Sequence, residues 1–109
     1  MKDNNRLSLG ILDENLNSVP YSQFFKAFGD ATRIKIILAI KDEEKCVKDI
    51  SEKSNMEISA ISHQLSTLKK KNIVKSRKLG KEVLYTISDD HIKDLVESTL
   101  IHVNEEDEK

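Results

Sequence analysis

Residues 46–88 most limit what this chain can fold into. A short amphipathic stretch, "CVKDISEKSN", breaks at Asn55 and Met56 and is followed by a second one, "ISAISHQLSTLKKKN". Ile58, Ile61, Leu65 and Leu68 of the second recur at helical spacing and predict one buried face. Two runs of strand character follow at once, "IVKSRKLG" and "KEVLYTIS", with Gly80 in the turn between them. Helix, tight break, helix, then hairpin is the order of a helix-turn-helix carrying a wing.

The flanking segments complete an α-rich chain. Ser18 and Pro20 offer a helix start, with Tyr21, Phe24, Phe25 and Phe28 as its stripe and Gly29 as its stop. Asp30 can cap the next helix, "ATRIKIILAIK", in which Ile34, Ile37, Leu38 and Lys41 fit a 3.6-residue period. Val47, Ile50 and Cys46 are expected to face inward on the third helix, and "DDHIKDLVESTLIHVNEE" reads as a last one. The expected fold is mainly α with a β-hairpin wing (α+β), a winged helix-turn-helix. Residues 18–106 form the domain, 1–17 an N-terminal segment without clear periodicity, and 107–109 an acidic tail.

At 109 residues, with 34% of them charged, such a domain has a thin core, and a homodimer through the terminal helices is the natural expectation. No run has the apolar length of a membrane span, and "MKDNNRLSLGILDEN" lacks the apolar stretch of a signal peptide. A lone cysteine, Cys46, excludes an internal disulfide framework and suits the cytoplasm.

The net charge of −1 conceals a segregation. Lys69, Lys70, Lys71, Lys75, Arg77, Lys78 and Lys81 lie in one stretch with no acid among them, which is the footprint of a polyanion partner. The outer side of the fourth helix carries Ser59, Ser62, His63, Gln64, Ser66 and Thr67. Short hydroxyl side chains let a helix sit deep in a major groove, and Gln or His can bond base edges. The wing's Arg77, Lys78 and Lys81 are placed to meet phosphates. Double-stranded DNA is the expected partner.

The last helix holds His91 and His102. Eleven residues at about 100° each bring them to within roughly 20° of one another, but separate them by about 16 Å along the axis, too far to share one ion at ligand distances of about 2 Å. Two copies of the helix packed antiparallel about a twofold axis would bring His91 of one to His102 of the other and make two equal sites. The stripe Ile92, Leu95, Val96, Thr99, Leu100 and Val103 suits such packing. Asp89, which could also cap the helix, and Glu105 add carboxylates. Asp89 and His91 from one chain with His102 and Glu105 from the other make a tetrahedral nitrogen and oxygen set that suits Zn(II) or Co(II). Ni(II) would ask for more ligands.

From Phe24 to Glu105 the sequence resembles the ArsR/SmtB family of dimeric, metal-responsive winged-helix repressors. "FKAFGDATRIKII", "SHQLSTL", "KLGKEVLYTI" and a D-x-H-x(10)-H-x(2)-E pattern carry the resemblance. It implies a zinc site on the last helix at Asp89, His91, His102 and Glu105, and DNA contact by His63 with Ser59 and Ser62. It also implies that the metal-free dimer binds an inverted-repeat operator and that metal releases it. A further implication is a bond from the second ring N–H of a metal-bound His102 to a backbone carbonyl near Asn72, after the reading helix.

The departures are informative. Where thiolate-using members resemble C-x-C-D, this chain reads Cys46, Val47, Lys48, Asp49. Cys46 and Asp49 are the vestige of a second site, and the preference moves from soft ions toward zinc. Two other readings compete: a dimeric winged-helix regulator answering another signal (nickel, cobalt, or oxidation of Cys46), and a metal-dependent hydrolase. Against the hydrolase, protein ligands fill four positions and Gly10, Gly29 and Gly80 are isolated, so no phosphate loop exists.

Overall fold

The computed structural model describes residues 17–107. Helices α1 (Val19–Phe28), α2 (Ala31–Ile40), α3 (Val47–Ser54) and α4 (Ile58–Lys70) precede strands β1 (Val74–Leu79) and β2 (Glu82–Ile87), and α5 (Asp90–Asp107) closes the chain. This is the winged helix-turn-helix order. The expectations for residues 1–16 lie outside the described residues. No helix among the described residues is long and apolar enough to cross a membrane.

Local chemistry sets the boundaries. The Asp30 carboxylate accepts from the Arg33 amide at 3.0 Å and starts α2. For α1 the side-chain acceptor is Asn17, 3.1 Å from the Val19 amide, and not Ser18, which makes no side-chain cap bond. Asn55, in the left-handed region (φ 60°, ψ 38°), ends α3, and the Ser51 hydroxyl spans the break by donating to the Met56 carbonyl at 2.6 Å. Asn72, also left-handed (φ 60°), ends α4: the Ile73 amide returns to the Leu68 carbonyl and the Asn72 amide to that of Lys69, both at 3.0 Å. That is a Schellman closure, with Leu68 and Ile73 both buried beside it.

The wing is a two-stranded antiparallel sheet in which Val74 pairs with Ile87 and Leu79 with Glu82. Gly80 turns the corner at φ +63°, a conformation other residues rarely adopt. Lys45 adds a rung on the outer side of β2, exchanging both backbone bonds with Tyr85 at 3.0 and 2.8 Å.

The core joins Ile36, Ile37 and Ile40 of α2, Ile50 of α3, Ile61, Leu65 and Leu68 of α4, then Ile73, Val74, Ile87, Ile92 and Val96. Two sequence expectations need correction. Ile58 is 53% exposed, because it opens α4 ahead of the point where that helix meets α2 and α3. Helix α2 buries Ile36, Ile37 and Ile40, whereas Ile34 and Leu38 turn to a second apolar side and line a recess of about 70 Å³ with Phe28, Val96 and Leu100. A single 3.6-residue stripe cannot describe a helix that is apolar on two sides. Tyr21 and Phe25 of α1 and Leu95, Ile101 and Val103 of α5 are exposed in the single chain, while Ile92 and Val96 of the α5 stripe are buried in the chain's own core.

The two kinds of isoleucine on α4 should separate in a denaturation experiment. Ile61→Ala removes a fully buried side chain and is expected to cost about 2–5 kcal/mol. Ile58→Ala should change stability by no more than about 0.5 kcal/mol, a contrast read by urea unfolding.

Candidate nucleic-acid interface and metal half-site

With Ile61, Leu65 and Leu68 turned inward, α4 presents Ser59, Ser62 and His63 to solvent. Gln64 sits at the rim of that face, half-buried, and its Oε1 accepts from Arg33 Nε of α2 at 2.7 Å. Beyond the helix, Lys69 donates to the Ser76 hydroxyl at 2.7 Å and ties the helix end to the wing.

All three wing cations, Arg77, Lys78 and Lys81, are exposed. Arg77 is not free, however. Its guanidinium forks onto the Glu44 carboxylate, Nε donating to Oε2 at 2.9 Å and Nη2 donating to Oε1. The Arg77 hydrogen bond is the main cause that holds the Glu44 carboxyl below its usual 4.5, and Glu44 in turn raises Arg77. A carboxyl lowered by folding contributes stability above pH 4.5 and loses it as the pH falls through the lowered value. Neither Arg33 nor Glu44 was legible as part of this surface, because they meet their partners 31 and 33 positions away and no local pattern pairs them.

On α5, Asp89 does what its position suggested: Oδ1 accepts from the Ile92 amide at 3.0 Å and caps the helix. The same Oδ1 lies 3.6 Å from Nδ1 of His91, whose side chain is 95% exposed. Two donor atoms held at about 2 Å by one tetrahedral ion sit roughly 3.3 Å apart, so this pair fits two adjacent ligands of such an ion. His102 and Glu105 lie exposed toward the other end of the 18-residue helix. Among the described residues no three His, Cys, Asp or Glu side chains converge on a metal position within one chain. The structure therefore brings Asp89 to His91 and leaves His102 and Glu105 apart from them.

The Asn72 carbonyl already accepts the Ser88 hydroxyl at 2.6 Å, while the Ser88 amide donates to Ile73 at 3.0 Å. The end of α4 is thus fastened to the residue preceding Asp89. Cys46 is buried at the N-cap of α3, and Asp49 is exposed in the first turn of that helix, where a carboxylate suits the helix dipole. These two do not form a ligand set.

Residues 30–76 match the bacterial regulatory protein arsR family. The chain is 39% identical over 90 residues to the cadmium resistance transcriptional regulatory protein CadC homolog of Staphylococcus aureus, covering 82% of this chain and 74% of that protein. The chain belongs to the arsR family. It is also 34% identical over 86 residues to the transcriptional repressor SmtB homolog of Synechocystis sp., covering 79% of this chain and 65% of that protein, just short of two thirds of its length. Family members of this kind are DNA-binding transcriptional regulators, not enzymes. Among solved structures, the homodimeric winged helix-turn-helix DNA-binding domain of a possible ArsR-family regulator from Mycobacterium bovis superposes with a TM-score of 0.75. At 21% identity, over 91% of this chain and 86% of that one, the likeness establishes the fold.

The Asp89 cap has a measurable signature. Asp89→Ala is expected to lower stability by about 1 kcal/mol, whereas Asp89→Asn retains the acceptor and should melt within a few tenths of a kcal/mol of the parent. Equal losses in the two variants would remove the cap from the account.

Proposed function

We propose that this chain is a metal-responsive transcriptional repressor whose metal-free homodimer holds an inverted-repeat operator and lets it go on binding Zn(II). The observation that carries the reading is the Asp89–His91 pair, 3.6 Å apart and exposed at one end of a helix that bears His102 and Glu105 toward the other. Two such helices, antiparallel about a twofold axis, complete two sites from four half-sites. The exposed apolar residues of α1 and α5 supply the surface that dimerisation would bury. Relatives described as an SmtB-type repressor and a cadmium-resistance regulator support metal as the class of signal.

In this reading Ser59, Ser62, His63 and Gln64 face the major groove and Arg77, Lys78 and Lys81 meet phosphates. A bound ion would supply only charge and fixed ligand geometry, with no open position for chemistry. When one nitrogen of His102 ligates, the other becomes an oriented N–H donor. Across the dimer, the partner's Asn72 carbonyl keeps a second lone pair beside its bond from Ser88 and can accept that donor. Such a bond would tie the helix of the metal site to the end of the reading helix. Bound DNA must then weaken metal binding by the same factor as metal weakens DNA binding.

Titration of the reduced protein with Co(II) should give intense tetrahedral bands saturating at one ion per chain, without thiolate charge transfer. Weak six-coordinate bands, or a thiolate band from Cys46, would overturn the assignment. In His91→Ala, zinc should no longer release DNA. A second measurement addresses the wing: Glu44→Gln removes the internal competitor of Arg77 and is expected to tighten DNA binding by up to about fivefold. The same variant, followed by fluorescence anisotropy across a salt series, should show a slope steeper by about 0.9 in log–log units for one added phosphate contact. An unchanged slope would take Arg77 off the phosphate backbone.

A further inference from the structure

The bond between Arg33 and Gln64 has a chemical consequence that the family assignment does not contain. Arginine offers only donors, so the atom of the Gln64 amide that lies 2.7 Å from Arg33 Nε must be the carbonyl oxygen. That settles which way the amide points without reference to any other neighbour. The NH₂ group, with two N–H donors, is directed away from α2. Arg33 is well placed to enforce this, because its own amide is fixed by the Asp30 cap at 3.0 Å on the first turn of α2. Helix α2 is in turn held against α4 by a common core.

We infer that Arg33 is a positioning residue that orients the Gln64 amide with its oxygen toward α2, so that Gln64 reads the DNA base edge through its NH₂ donors and selects a base that presents acceptors in the major groove. An unconstrained glutamine reads adenine by a pair of bonds, giving one to N7 and taking one from the N6 amino group. Here the oxygen of that pair is held toward α2, where Arg33 takes one of its two lone pairs, so it is not aligned with an adenine N6 amino group. What remains matches guanine, with N7 and O6, or thymine, with O4. Gln64 lies next to His63 along the helix and at the edge of its exposed face, so it reaches the groove from the side of α2 while Ser59, Ser62 and His63 face it directly. The inference rests on α4 being the reading helix, as proposed above, and is independent of the metal site.

The test is selection of bound duplexes from a randomised library by the intact, reduced protein in EDTA, followed by measured affinities for every single-base change in the selected sequence. The parent chain should show one position per half-site that prefers guanine or thymine. Gln64→Glu keeps an oxygen for Arg33 but has no N–H to give, and it should lose about tenfold or more on the preferred base and little on the others. Arg33→Met frees the amide and should move the preference at that same position toward adenine. Arg33→Lys, which still donates, should retain the parental preference and serves where the methionine variant does not fold. Thermal melting reports folding for each chain. If Gln64→Glu binds as the parent does, or weakens all sequences alike, the Arg33–Gln64 bond is purely structural and the inference falls. If Arg33→Met alters affinity without altering base preference, Arg33 does not set the readout and the inference falls as well. If the parent chain enriches no sequence, the assignment of α4 as the reading helix fails, and this inference fails with it.

Discussion

The burial of Ile61, Leu65 and Leu68 against α2 and α3 is the constraint on which the rest of the molecule depends. These three side chains recur on one side of α4, and once they are out of water the rotation of that helix is fixed. Ser59, Ser62 and His63 are then outside by geometry, Gln64 is at the rim, and Lys69 is carried to the wing. The Schellman closure at Asn72 carries the same order forward, since it sets where β1 begins and places a carbonyl within reach of Ser88. One apolar face thus positions the reading surface, the hairpin and the start of the last helix.

The polar contacts above this core share a pattern. Several groups that a sequence reading would assign to an outside partner already have an inside one. Arg77 holds Glu44, Gln64 holds Arg33, Asp89 caps α5, and the Asn72 carbonyl receives Ser88. Each pairing limits what the group can offer next. Glu44 occupies the Arg77 guanidinium, and Arg33 takes one lone pair of the Gln64 carbonyl and holds that oxygen toward α2. The cap at Asp89 fixes where its carboxylate lies beside His91.

Much of this fold was written in local pattern. The Asp30 cap, the Asn55 break, the hairpin turn at Gly80 and the buried Cys46 follow from residue types at fixed spacing, and each depends on neighbours within a few positions. The apolar stripes were harder to read. Helix α2 has isoleucine or leucine on two sides, and periodicity alone does not say which side meets α3 and α4 and which turns toward α5. For Tyr21, Phe25 and Leu95, hydrophobicity marks a residue that prefers burial without saying whether its own chain or another supplies the cover.

The sequence by itself determined the order of elements, most helix boundaries and the set of candidate polar side chains, because these depend on propensity, capping and period. It also determined that His91 and His102 cannot share an ion in one chain, since helix rise alone separates them. Only the tertiary structure decided which of those side chains remain at liberty. Arg33 meets Gln64 and Glu44 meets Arg77 because helices and strands distant in the chain are pressed together by a common core, and contacts between such elements leave no local signature.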